Sequence, residues 1–127
     1  MVSCGSDSDD TTNPFEVRLG KFIDTDVADD VVGIKALRLI KAQGPKRHQL
    51  GLALEGNVAD PLSFHWEDIL VDGKKVGDMT QCVWSPRLQR NIGYALISCG
   101  CKVGDSVTLL RSAGREVKAS LVNLQFL

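Results

Sequence analysis

From His48 to the end, the chain is a succession of short apolar runs cut by turn residues, and no run is long enough for an extended helix. Gln49 to Leu54 reads as one strand. Ile69-Leu-Val71, then Asp72-Gly73, then Val76 reads as a hairpin, because Asp-Gly readily adopts the positive φ that tight two-residue turns demand. Further strands are expected over Gly77 to Val83, Ile92 to Ser98, Ser106 to Arg111 and Glu116 to Leu124, with Ser112-Ala-Gly114 as a second hairpin turn. Ser85-Pro86 can open a short helical turn, with Ser as cap and Pro at the first position. Five or six strands in about eighty residues is the spacing of a small closed barrel or a sandwich, since closure removes exposed edges. The fold class expected is therefore mainly β: a small closed antiparallel, Greek-key type β-barrel of about six strands, preceded by a loop, one strand and one α-helix.

The elements before the barrel are read from local pattern. Residues 3–13 are rich in Ser, Asp, Thr and Gly and carry no bulky apolar side chain, so they form a loop. Phe15-Glu-Val-Arg-Leu-Gly-Lys-Phe-Ile23 alternates Phe15, Val17 and Leu19 with Glu16 and Arg18, the two-residue period of a half-buried strand, and this strand lacks a local partner. Asp29 or Asp30 can cap a helix from Val31 to Gln43. Its apolar residues Val32, Ile34, Ala36, Leu37, Leu39 and Ile40 share one broad stripe, and Lys41 and Gly44-Pro45 stop it.

Bulk properties narrow the function classes. With 127 residues the chain has room for one domain with a real core, or for one small domain plus a tail. Fifteen basic and sixteen acidic side chains leave a net charge of -1, which argues against nucleic acid or an anionic membrane as partner. No apolar run approaches the roughly 20 residues of a membrane span. The N-terminus lacks the basic and apolar regions of a signal peptide, so the cytoplasm is the default location. Cys4, Cys82, Cys99 and Cys101 have no matched pair spacing, and His48 and His65 have no nearby partner, so no metal site is expected. Cys82 and Cys99 fall in apolar, strand-like runs, where a free thiol acts as a small hydrophobe.

A set of ordered motifs adds a family resemblance. Gly51-Leu52 with Glu55-Gly56, Gly73-Lys-Lys-Val-Gly77, Ser85-Pro86-Arg87-Leu88, Asn91-Ile92-Gly-Tyr-Ala95, Val103-Gly104 and Leu124-Gln-Phe126 follow one another as in the C-terminal β-barrel of the glycine cleavage T-protein (aminomethyltransferase) superfamily, which residues 48–126 resemble. Asn13-Pro14-Phe15-Glu16 with Leu19-Gly20, and Val32-Gly33-Ile34-Lys35-Ala36-Leu37, resemble the stretches that precede that barrel. Gly44-Pro45-Lys46-Arg47 and Trp84 look closest to the dimethylsulfoniopropionate demethylase-like branch. Val31-Val-Gly-Ile34 does not match the Lys-Gly-Cys-Tyr motif of the iron-sulfur-assembly branch.

The resemblance implies a division at residues 1–45, the tail of a missing folate-binding domain plus a linker helix, and 46–127, the barrel. It implies tetrahydrofolate as cofactor, bound mainly by the absent N-terminal domain of the same polypeptide, and Met1 as an internal methionine of a longer frame. The family's catalytic Asp lies in that absent region, so no catalytic residue is assigned. Asp7, Asp9, Asp10, Asp29 and Asp30 read as loop or capping charges rather than as a general base in a sheltered cleft. Trp84, Arg87 and Arg90 are the candidates for contact with the folate tail or, more readily, with a neighbouring domain. His65-Trp66, beside Glu67 and Asp68, reads as an edge-strand His and a core Trp. Two functions follow: the C-terminal part of a tetrahydrofolate-dependent aminomethyl or methyl transferase, inactive alone, or a stand-alone binding or assembly module.

Overall fold

The computed structural model describes residues 3–56, 66–111 and 114–126. Six strands close into an antiparallel barrel: β1 (Arg47–Leu54), β2 (Glu67–Val71), β3 (Lys74–Ser85), β4 (Arg90–Ser98), β5 (Ser106–Arg111) and β6 (Arg115–Val122). Around the barrel the order is β1-β4-β3-β2-β5-β6, with β6 returning to β1. The hairpin-connected β2, β3 and β4, with β1 laid beside β4, form the expected Greek key.

Local chemistry explains the turns. Asp72 and Gly73 both take positive φ, 50° and 75°, so the β2–β3 hairpin uses the turn whose twist matches its strands. At the β3–β4 connection Ser85 Oγ accepts the Leu88 N–H at 3.3 Å, in the role foreseen for Ser85-Pro86. Of the turn expected at Ser112-Ala-Gly114, residues 112 and 113 lie outside the described set, and Gly114 takes φ 72°.

Alternation along each strand fills the interior. Leu52, Ile69, Ala95, Ile97, Leu109 and Leu121 have no exposed surface, and Met79 has almost none. In β3 the register shifts between Met79 and Gln81, so Thr80 is an extra residue. The bulge reverses the phase of the strand: Gly77 and Met79 are buried before it and Cys82 after it, while Gln81 and Val83 are exposed. Thr80 meets its own polar need by donating to the Tyr94 carbonyl.

The layer before the barrel departs from expectation. Phe15 to Ile23 is not a strand: it is a turn followed by a short 3-10 helix, Gly20–Phe22. The Asn13 side chain accepts the Phe15 and Glu16 N–H groups at 3.1 and 3.2 Å, an Asx turn that bends the chain where Pro14 already restricts it. Among the described residues one backbone rung joins this segment to the sheet, from Gln49 N–H to the Glu16 carbonyl at 2.9 Å. It falls where β6, which pairs with β1 only from Gly51 to Leu54, has left the edge of β1 open.

The helix α1 (Ile34–Gln43) starts later than expected, after Gly33 at φ 81°, and neither Asp29 nor Asp30 caps it. Asp29 instead pairs with Arg38. Arg38 also donates to the carbonyls of Thr25 and Val27, and Lys41 donates to Thr25 Oγ1, so α1 is tied to the segment before it. Ile34 is its one buried residue. The broad apolar stripe is covered in part: Ile34 is buried and Leu37 and Ile40 are half-buried, while Val32 and Leu39 are 97% and 57% exposed.

Candidate functional site

The barrel interior is packed with side chains, which leaves the outer surface to bind anything. Three places stand out, the first two positioned by β3, β4 and the segments that cross them.

The first is the tip of the β3–β4 hairpin, where the three candidates named from sequence come together. Trp84 lies opposite Asn91 and Ser85 opposite Arg90, and Arg87 sits in the turn between. Trp84 is half-buried; both arginines are exposed. Arg90 lines a depression, a groove of about 430 Å³ with Ala53, Ile92 and Val122 among its apolar lining. Leu88, Val103 and Phe126 complete the apolar part, and Asn123 supplies an amide.

The second is a cleft of about 450 Å³ that shares Ile92 and Phe126 with the groove. Trp66, Tyr94 and Phe126 supply three rings, and Gln81 and Val83 line it because the Thr80 bulge turns them outward. Trp66 is half-buried rather than in the core. Its indole N–H donates to the Ser6 carbonyl at 2.8 Å and pins the N-terminal loop, so that Gly5 and Ser6 form part of the cleft. His65, its expected companion, lies outside the described residues. Phe126 separates cleft from groove: it holds φ 46°, and its ring stands 5.7 Å from that of Tyr94. The ring reaches this position because residue 51 is Gly; a Cβ there would lie 2.9 Å from Phe126 Cε1.

The third is the uncovered apolar surface ahead of the barrel. Phe22 is 72% exposed, and Leu19, Val31, Val32 and Leu39 are exposed with it.

Several polar groups outside these places are paired with one another. Glu16 is buried and takes a two-pronged bond from Arg47, Nε at 3.0 Å and Nη2 at 3.1 Å, and that bond raises the Arg47 pKa. Glu67 and Arg111, both buried, meet at 3.1 Å. Lys75 bridges Asp68 and Asp78 at 2.7 and 2.6 Å, and bonds to the two carboxylates hold its pKa up. Asp7, also buried, accepts the Ser3 N–H with one oxygen and leaves the other unpaired. Asp9 is held low by the hydroxyls of Thr11 and Thr12. His48 has a buried, unpaired Nε2, and burial together with the nearby Arg18 charge pushes its pKa down.

Sequence reasoning did not mark Glu16, Glu67 or Arg111. A signal existed for two of them: Glu67 is in phase with Ile69, and Arg111 with Val107 and Leu109, on the inward side of their strands. Cys82 is buried as expected. Cys99 is not; it follows the end of β4, is exposed, and its thiol donates to the Pro45 carbonyl at 3.1 Å.

Among the described residues no helix is long and apolar enough to cross a membrane. Residues 47–127 match the family model described as the glycine cleavage T-protein C-terminal barrel domain, and the match begins at the first residue of β1. Curated relatives include an aminomethyltransferase of Synechococcus sp. (strain CC9902), 32% identical over 96% of this chain and 33% of its own length. Another is the aminomethyltransferase of Thermotoga petrophila, 34% identical over 96% of this chain and 32% of its own length. The chain thus spans about a third of the length of these relatives. The crystal structure of the glycine cleavage system aminomethyltransferase T from Bartonella henselae shares the fold, with a TM-score of 0.82 at 20% identity over 100% of this chain and 35% of that one.

Proposed function

The chain belongs to the glycine cleavage T-protein family through its C-terminal barrel domain, and on that premise we propose that it is the barrel-bearing part of a tetrahydrofolate-dependent aminomethyl or methyl transferase. The single observation that carries this is the open apolar surface of residues 19–39 beside a finished barrel. Phe22, Val32 and Leu39 are more than half exposed, although nothing in the packing of the barrel needs them outside. An apolar surface of this kind marks an interaction site. Relatives about three times as long leave room for an occupant, which we take to be the folate-binding domain. Residues 1–45 then form the tail of that domain and the linker helix, and residues 46–127 the barrel.

The chemistry is divided accordingly. Tetrahydrofolate, when bound, accepts the one-carbon unit. The carboxylate that manages the proton is assigned to the folate-binding half: here Glu16 and Glu67 already serve arginines, and Asp7 is tied to Ser3 within the N-terminal loop. The barrel orients and covers. Trp84, Arg87 and Arg90 fit a role at the boundary with the folate half or at the carboxylate tail of the cofactor: two cations and an indole stand together at one hairpin tip. Gly44-Pro45-Lys46-Arg47 and Trp84 draw the finer reading toward the dimethylsulfoniopropionate demethylase-like branch, acting in the cytoplasm.

Two experiments test the reading. Sequencing the DNA upstream of the Met1 codon is expected to show an uninterrupted frame encoding a folate-binding half. A stop codon and a ribosome-binding site there would favour the stand-alone binding module instead, for which the outer cleft and groove are the available sites. The isolated chain, given tetrahydrofolate and either an aminomethyl-carrying protein or a sulfonium methyl donor, is expected to give no product above background. Turnover would overturn the division of labour.

A further inference from the structure

The groove at the end of the β3–β4 hairpin has a composition that selects a ligand class. Ala53, Ile92 and Val122 are small or β-branched and make an apolar surface, and Leu88 and Val103 add to it. Phe126 is fixed between groove and cleft by its contact with Tyr94 and by the absence of a side chain at Gly51. Among the described residues Arg90 is the only charged one in the lining, and no acidic residue shares it. Among the described residues neither Arg90 nor Arg87 has an ion-pair partner. Asn123, the other polar residue of the groove, can donate from its amide.

A guanidinium without a counter-ion beside an apolar hollow favours an occupant with the opposite pattern. A neutral apolar molecule would leave the cation unused, and a cationic one would meet repulsion. Two facts set the size. A groove of about 430 Å³ lies within the range of small-molecule sites. A carboxylate presents two oxygens to the fork of one guanidinium.

We propose that this groove binds a small amphipathic monocarboxylate, its apolar body against Ile92, Val122 and Phe126 and its carboxylate on Arg90 and the Asn123 amide. The site stands on the groove alone and holds whether or not the parent enzyme uses folate. Trp84 and Arg87, which do not line it, are not part of it.

The test uses the full 127-residue chain, labelled with 15N, titrated with 4-phenylbutyrate and in parallel with 4-phenylbutan-1-ol. The two probes share their apolar body and differ in the head group. Saturable amide shifts confined to residues 90–92, 103 and 122–126 are expected with phenylbutyrate. The alcohol is expected to bind at least about tenfold more weakly, the factor a charge-assisted bond supplies. Arg90→Gln should bring phenylbutyrate down to the level of the alcohol while the rest of the spectrum keeps its dispersion. Val103→Asp, which sets a carboxylate in the groove from an exposed loop, should weaken phenylbutyrate and leave the alcohol nearly unchanged. Equal affinity for the two probes, unchanged binding by Arg90→Gln, or shifts that scatter or fail to saturate would overturn the assignment. So would shifts at the same residues that depend on protein concentration without probe, since they would give the groove to a second copy of the chain.

Discussion

Glu67 and Arg111 offer the sharpest test of how the barrel is held. Glu67 opens β2 and Arg111 closes β5; these strands pair with Asp68 opposite Leu110, so the two residues meet one step beyond that rung. Their side chains are 6% and 8% exposed and join at 3.1 Å. Desolvating two charges costs several kcal/mol per ion, and their attraction roughly repays it. The intact pair is therefore near neutral, whereas a broken pair leaves a buried charge. Glu67→Leu alone should cost about 3 kcal/mol or more, and Arg111→Met at least as much, because Arg111 has interactions besides this one. The double variant should lose clearly less than the two single losses summed, because it leaves neither charge of the pair behind. At roughly 3–4 °C per kcal/mol for a domain of this size, each single variant should melt about 10 °C lower. Urea unfolding of all four proteins completes the cycle. Single losses below about 1 kcal/mol, or a double variant as unstable as the two losses summed, would refute the argument that the pair matters through burial.

Three further outcomes are expected. Gly51→Ala would place a Cβ 2.7 Å from the Asn123 carbonyl oxygen and 2.9 Å from the Phe126 ring, so it should cost about 1–3 kcal/mol in urea unfolding and shift the Phe126 ring resonances. His48 has a folded pKa below its ordinary 6.5, so its contribution is complete above 6.5 and is lost as pH falls from there through the folded value; His48→Gln should flatten that part of the pH–stability curve, and an unchanged slope would count against it. Trp66→Phe removes the bond to the Ser6 carbonyl and should speed hydrogen exchange at Gly5 and Asp7 while the barrel amides keep their protection.

The barrel was legible because its signals are local. Ser106 to Arg111 keeps the boundaries read from alternation, and Asp72-Gly73 turns as its chemistry dictates. The segment before it was misread for a reason of the same kind. Alternation over Phe15 to Leu19 is too short to separate a strand from successive turns, and the Asn13 side chain settles the matter by taking two backbone N–H groups. In the helix, Asp29 met a better partner in Arg38 than an N-terminal amide, and the start moved to the left-handed Gly33. The candidate site was half visible. Arg87, Arg90 and Trp84 gather at one tip because a hairpin brings its ends together, which spacing can show. The groove beside Arg90 needs Ala53, Val103 and Val122 from elsewhere in the chain, and the cleft needs the Thr80 bulge, which no period-two pattern announces.

The strand order also has a consequence for synthesis. β1 leaves the ribosome first of the six strands, yet its neighbours are β4 and β6, and its rung from Gly51 to Val122 joins nearly the two ends of the barrel. The intervening chain must therefore emerge before β1 has both its partners. Closure is a late, long-range event, slow in the way that distant pairings are slow. Until then β1 keeps an open edge, and the first group offered to it is the Glu16 carbonyl at Gln49, already on the nascent chain. That rung sits at Gln49, a stretch that β6 never takes, so Gly51 to Leu54 stays open to another chain until the last strand arrives.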